Sequence, residues 1–441
     1  MNWDEAAVVR WLEPLASRAG ELADVFGERL REIRVEWRDG EAREAHIRRE
    51  EGTGARWRAR GHEKFVFASG VGEAVVRESV RALREETGKG TLPIRPSSGR
   101  PDPEDSVFPD AERWAKRLPG VFGRHAPRHR FVWRLRETER RVVSSGRPGS
   151  RWTRRLISLE GRFLAASRFG DEERHFSFHS PETDSTLDEL KSLLSAAAIP
   201  RDRPTPVPGG EIDVVLANGC AAVLFHEILG HALEADADAS PLSSLGDARV
   251  AVAELEVHDE AKRLDLFGGY DRDDEGTPPR SVKLVHAGGV GSRLTDRAHA
   301  GAAGSTGHGR RAGPADAPRP RGSNIVVRNG GATPEELARR LHNGIWIEEF
   351  RGGSVELSNG TFRLQFPRAR RIRRGRLADE LGPGILAGEL LPTLKGIEPV
   401  LGRDLHVCRS LGWCARGGQV IPVQGASPDI LIRRLTVRSA P

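Results

Sequence analysis

A chain of 441 residues, 37% hydrophobic and 30% charged, has the composition of a globular protein large enough for two cores. It contains no run of about 18 apolar residues, which argues against a membrane-spanning helix, and acids within the N-terminal segment argue against a secretory leader, so a cytoplasmic location is expected. The net charge of +6 comes from bases scattered among 63 acids with little aromatic interleaving, which speaks against direct nucleic-acid binding, and three cysteines speak against a disulfide framework.

In chain order, residues 2–20 carry apolar residues at helical spacing, including Val8, Trp11, Leu12 and Leu15. Three short alternating runs follow, 30–37, 42–49 and 54–60, read as antiparallel strands with a turn at Arg38-Asp39-Gly40. A helix is predicted over 72–86, a loop over 93–105 and a short helical patch over 112–117. Strands are expected at 128–143 and 152–168, joined by a turn at Arg147-Pro148-Gly149, then an amphipathic helix at 187–198. Pro200, Pro204, Pro206 and Pro208 lead into Gly209-Gly210, the best domain boundary in the chain. Beyond it come a strand at 211–216, a helix at 219–235 and a largely β remainder. The Gly-, Ala- and Pro-rich stretch 298–321 reads as flexible, Thr333-Pro334 as the start of a helix, and the arginine-rich stretch 368–376 as a solvated strand face. The expected fold class is therefore α+β in two domains: an N-terminal α+β domain over 1–199 and a β-rich C-terminal domain over 209–441.

One segment carries chemistry. His226-Glu227-Ile228-Leu229-Gly230-His231 places two histidines around a glutamate on the predicted helix, a pattern that suggests a metal with an adjacent general base. The spacing is five, which turns the two imidazoles about 140° apart on a regular helix. Both could reach one ion only if the helix widens, and a π-type turn near Gly230 is the expected form. Taken alone, a surface helix with two histidines remains an alternative. Glu234 and Asp236 follow about one turn on and could either hold a ligand imidazole or solvate the helix end. Cys220, at the helix start, reads as a small buried hydrophobe.

Near the C-terminus stands Gly412-Trp413-Cys414-Ala415-Arg416-Gly417-Gly418-Gln419, running on to Pro422-Val423. Together with Asp274-Glu275-Gly276-Thr277, Gly307-His308-Gly309-Arg310-Arg311 and Gly352-Gly353-Ser354-Val355, these segments closely resemble the TldD/PmbA family, in consistent order over roughly 209–432. The resemblance implies a zinc metallopeptidase of unfolded or leader peptides, with Zn2+ held by His226, His231 and Cys414 and with Glu227 as general base. It also implies a dimer, either a homodimer or a heterodimer with a PmbA-like paralogue. Some family members lack the metal motif and serve as inactive partners, so a non-catalytic partner subunit is the alternative reading; this chain keeps all three ligands and the glutamate. His308 stands where Asn is usual, and Ala415-Arg416 replaces the commoner Gly-Lys.

Gly352 and Gly353, leading a strand with Val355, let another backbone come close, and the resemblance implies an extended peptide substrate adding there by backbone pairing, a plain bulge being the other reading. Arg310 and Arg311 could anchor a substrate carboxylate or oxyanion, or simply cover the surface.

Overall fold

The computed structural model describes residues 1–440 except 2, 19, 40, 60, 86–128, 166–171, 183–184, 199–203, 238, 243–244 and 247. The predicted loop at 93–105 and helical patch at 112–117 lie outside the described residues.

Six strands before the proline-rich connector form one antiparallel sheet: β1 Leu22–Arg38, β2 Glu41–Ala59, β3 His62–Ser69, β4 His129–Ser144, β5 Arg147–Ala165 and β6 Glu172–Pro181. Their order across the sheet is β3-β2-β1-β4-β5-β6. The runs 42–49 and 54–60 are therefore one strand, continuous through Gly52 and Gly54. Those glycines are close-approach residues rather than breaks: a Cβ on Gly54 would lie 2.4 Å from the Pro314 carbonyl, and one on Gly52 would lie 2.6 Å from the Pro314 ring. The turn expected at 147–149 sits two residues earlier, at Ser145-Gly146, where Gly146 supplies the positive φ of 68° that a two-residue hairpin needs. Strands β3 and β6 had no clear sequence signal.

Helices cover this sheet. The predicted 2–20 helix is shorter: α1 spans Glu5–Leu12, with the Asp4 carboxylate accepting from the Ala7 N–H, and it gives way to a single 3-10 turn at Pro14. With α2, Glu73–Glu85, it shares a core containing Val8, Leu12, Val25, Val76 and Val80. The helix α3, Thr186–Ala198, buries Leu190 and Leu194 against Trp133, Ile157 and Phe178 at the far end of β4 to β6.

After the connector the chain is β-rich. A nine-stranded mixed sheet has Gly210–Leu216 inside it and Gly352–Glu356 at one edge; a six-stranded sheet includes Asn324–Val327 and Gln424–Ser427. Both sheets share one apolar core with the helix α4, Ala221–Phe225, every residue of which is buried. Thr333 caps the helix Pro334–Leu341 in a capping box with Glu336. The arginine-rich stretch is strand Ala369–Arg373, where Arg370 faces Glu380 and Arg373 faces Asp379 across the hairpin. The stretch 298–321 corrects the expectation of flexibility: Thr306, His308, Arg310, Arg311 and Arg321 are buried in it, and Pro314 rests on β2. Gly307 and Gly309 are close-approach positions in it: a Cβ would lie 2.5 Å from Pro279 and 2.3 Å from Glu275 respectively. No helix among the described residues is long and apolar enough to cross a membrane.

Candidate metal centre

The regular helix α4 ends at Phe225. His226–Gly230 forms a π turn in which the His231 N–H donates to the His226 carbonyl, and His231–Leu233 tightens into a 3-10 turn. The predicted 219–235 helix therefore stops short, and Glu234 is already extended, with ψ 132°. The widening matches the expected distortion, although Gly230 itself keeps ordinary helical dihedrals; the extra residue is absorbed over the whole turn. It brings the two rings together, with centroids 4.8 Å apart.

The third group arrives on the hairpin Trp413–Arg416 and Gln419–Pro422, closed by Gly417 and Gly418 with φ of 58° and 79°. One nitrogen each from His226 and His231 and the Cys414 Sγ lie within 4.8 Å of one another, and all three residues are buried. Among the described residues both ring nitrogens of His226 are buried without a hydrogen-bond partner, which a buried imidazole tolerates poorly unless an electron-pair acceptor meets it. Two imidazoles and a thiolate make a three-ligand zinc set with one position left for water, so the residues fit that ion. Burial would raise the Cys414 thiol, but the His226 and His231 imidazoles outweigh it and hold it well below the usual thiol range.

Charged partners fix these three groups. The Glu234 carboxylate lies 3.3 Å from His231 Nδ1, leaving Nε2, 3.2 Å from Cys414 Sγ, to face the centre. Burial acts to raise the Glu234 carboxyl, yet His231 first, and then Arg321 and Arg416, bring it down to about 2. The Arg416 guanidinium donates to Glu234 at 2.6 Å and to Asp236 at 2.7 Å, so the position where Arg replaces the commoner Lys ties the hairpin to the turn. The buried Arg321 donates to Cys414 Sγ at 3.3 Å and to the Cys414 carbonyl at 3.2 Å. Sequence reading missed Arg321, because its role depends on contacts across 93 positions.

A cleft of about 560 Å³ opens on this centre. Glu227, half-buried, lines it together with His231, Cys414 and the edge strand Gly352–Glu356. A Cβ on Gly353 would lie 3.6 Å from Glu227 Cγ and 2.2 Å from Leu364. The N-terminal sheet supplies Glu160, Ser177 and His179 to the opposite wall, which no motif announced. Burial, with the Arg134 charge adding, pushes the His179 imidazole down to about 4. A Cβ on Gly412 would come within 2.2 Å of that ring, which accounts for the glycine before Trp413.

The structure does not bring Arg310 and Arg311 to this cleft. Arg310 donates to the carbonyls of Gly322 and Pro422, and Arg311 lies over the Phe26 ring and donates to the Asp274 carbonyl. His308 pairs with Asp259 at 3.1 Å, and Cys220 donates to the Ile347 carbonyl.

The family described as the PmbA/TldA metallopeptidase C-terminal domain matches residues 209–439. Among curated relatives, a metalloprotease of Methanothermobacter thermautotrophicus is 31% identical over 57% of this chain and 55% of its own length. A metalloprotease TldD homolog of Buchnera aphidicola is 30% identical over 64% and 60%, and a zinc metalloprotease TldD homolog of Saccharolobus solfataricus is 27% identical over 52% of each. The chain thus spans little more than half the length of these relatives. The crystal structure of TldE from Thermococcus kodakarensis superimposes with a TM-score of 0.75 at 16% identity, covering 98% of this chain and 99% of that one, so the two share a two-domain fold. With more than half its residues matched, this chain belongs to the PmbA/TldD family of metallopeptidases.

Proposed function

We propose that the protein is a zinc-dependent peptidase acting on unfolded or leader peptides, with His226, His231 and Cys414 as ligands and Glu227 as general base. The observation that carries this reading is the π turn, which turns both histidines toward Cys414 and sets Glu227 in the same cleft as a strand edge. A zinc ion held there supplies Lewis acidity for the scissile carbonyl and lowers the pKa of water. The Glu227 carboxylate takes the proton of the attacking water and delivers it to the leaving amine. Among the described residues the edge strand Gly352–Glu356 pairs on one side only, with Thr361–Phe366, so its other side can accept an extended peptide through backbone bonds, with Gly352 and Gly353 allowing close approach beside Val355. Arg310 and Arg311 contribute by holding the strap around Gly322 and the joint with Phe26 rather than by touching substrate.

On this reading residues 1–199 form a domain that roofs the cleft of a 209–441 domain, and the protein works in the cytoplasm as a dimer with itself or with a PmbA-like paralogue. The test is hydrolysis of an unfolded peptide by the metal-loaded chain, alone and mixed with a motif-lacking paralogue. Stoichiometric zinc without turnover in either setting would favour the non-catalytic partner subunit.

A further inference from the structure

A second cavity lies on the seam between the N-terminal sheet and the C-terminal half, behind the metal hairpin. Its volume is about 30 Å³, room for one or two water-sized bodies and none for a peptide. Five arginines line it against two aspartates, and the aspartates are already engaged. Asp273 accepts from the N–H groups of Glu275, Thr277 and Gly309. Asp274 accepts from Arg140 at 2.7 Å and from the Arg311 N–H.

Among the described residues Arg136, Arg154 and Arg310 have no carboxylate within ion-pair distance; Asp274 acts on Arg154 and Arg310, and Glu28 and Glu32 on Arg136, only at longer range. Among the described residues the hydrogen-bond partner of the Arg154 side chain is the Phe267 carbonyl, and those of Arg310 are two carbonyls, with its guanidinium 5.0 Å from the Tyr270 ring centroid. The Arg136 guanidinium lies 5.6 Å from the Trp413 ring centroid. Carbonyls and ring faces partly solvate a guanidinium but do not neutralise it. Burial first, and then the Arg310 and Arg140 charges, push Arg154 well below the usual arginine range. Arginine does not give up its proton in a protein, so the repulsion calls for a counter-charge.

We propose that this cavity binds one small inorganic monoanion of chloride size, held by Arg136, Arg154 and Arg310. Such an ion braces the metal centre. Trp413, in the cavity wall, precedes Cys414 and pairs with Pro422; Arg310 holds the Pro422 and Gly322 carbonyls, and the Gly322 N–H donates to Glu234. The ion therefore ties the sheet holding Arg136 and Arg154 to the hairpin holding Cys414.

The full chain as purified, kept in sodium gluconate, is titrated with sodium chloride at constant ionic strength while its thermal midpoint and tryptophan emission are followed. A saturable rise of the midpoint is expected, with the half-saturating chloride concentration raised roughly tenfold or more by Arg154→Met and left unchanged by Arg373→Met. Crystals soaked in bromide should show one anomalous peak among Arg136, Arg154 and Arg310. A response without saturation, or one identical in Arg154→Met, would mean ionic screening alone and overturn the site. If Arg154→Met does not fold, Arg136→Gln at the half-exposed rim replaces it under the same criteria. Peptide hydrolysis is not read in this test, so its failure leaves the peptidase reading untouched.

Discussion

At the scale of single residues the centre is a set of uneven dependencies. Cys414 offers the only thiolate among the three ligand groups, and Arg321 and both imidazoles converge on its sulfur. Cys414→Ala should therefore abolish stoichiometric zinc, as read by metal analysis of the purified protein; a full equivalent of zinc in that variant would mean that another group is the third ligand. Glu227→Gln keeps the shape and removes the basic oxygen. It should retain zinc while peptide turnover falls about 10²-fold or more, and parent-like turnover would remove Glu227 from the mechanism. Arg321 acts at one remove, through the Cys414 sulfur and the Glu234 carboxylate. Arg321→Met should weaken zinc retention against a chelator, and in the cobalt-loaded protein it should shift the thiolate-to-cobalt absorption band, which a purely structural role would leave in place.

At the scale of elements two irregularities do the positioning. The π turn gives the chain one residue more than a regular turn, so that His226 and His231, five apart, meet instead of diverging. The strand edge at Gly352–Glu356 is left unpaired beside that turn, with Gly353 in contact range of both Leu364 and Glu227. Gly353→Ala puts a methyl group where 2.2 Å separates it from the end of the Leu364 side chain, so that side chain or the edge has to shift. The expected result is unaltered zinc content with KM for an extended peptide raised by about tenfold, the scale of losing one good backbone contact. An unchanged KM would place the peptide elsewhere.

At the scale of the molecule the two halves are clasped by buried ions. Arg56 of β2 meets Asp24 at 2.6 Å and also Glu275 beyond the connector, while Arg140 of β4 meets Glu28 at 2.6 Å and Asp274 at 2.7 Å. The Asp274-Glu275-Gly276-Thr277 signature is thus part of a joint, distant in role from the chemistry that first made it recognisable. Removing one partner leaves buried carboxylates uncompensated. Arg56→Met should cost about 3–5 kcal/mol in denaturant unfolding, and His179 and Glu160, carried on the same sheet, should lose their place in the cleft, lowering peptide turnover without displacing zinc. A loss within about 0.5 kcal/mol, the range of ordinary surface changes, would show that the clasp carries no stability.

How much of this was legible beforehand depends on how local the cause is. The paired histidines, the glutamate between them, the widened helix and the capped start at Thr333 could all be read from the sequence, since each follows from spacing along a few consecutive residues, whereas Cys414 came only with the family resemblance. Alternation located β1, β4 and β5, while the glycines at 52 and 54 misled it, because their reason is Pro314, some 260 positions away. The same distance hid the packing of residues 298–321, whose composition reads as flexible in isolation and whose Arg311 is buried over Phe26 of the N-terminal sheet. Arg321, Arg416 and His179 carry no local signal at all. Sequence by itself determined which groups this protein can offer to a metal; the tertiary structure alone decided which charges orient those groups, since burial and Coulomb energy depend on neighbours in space and not on neighbours in the chain.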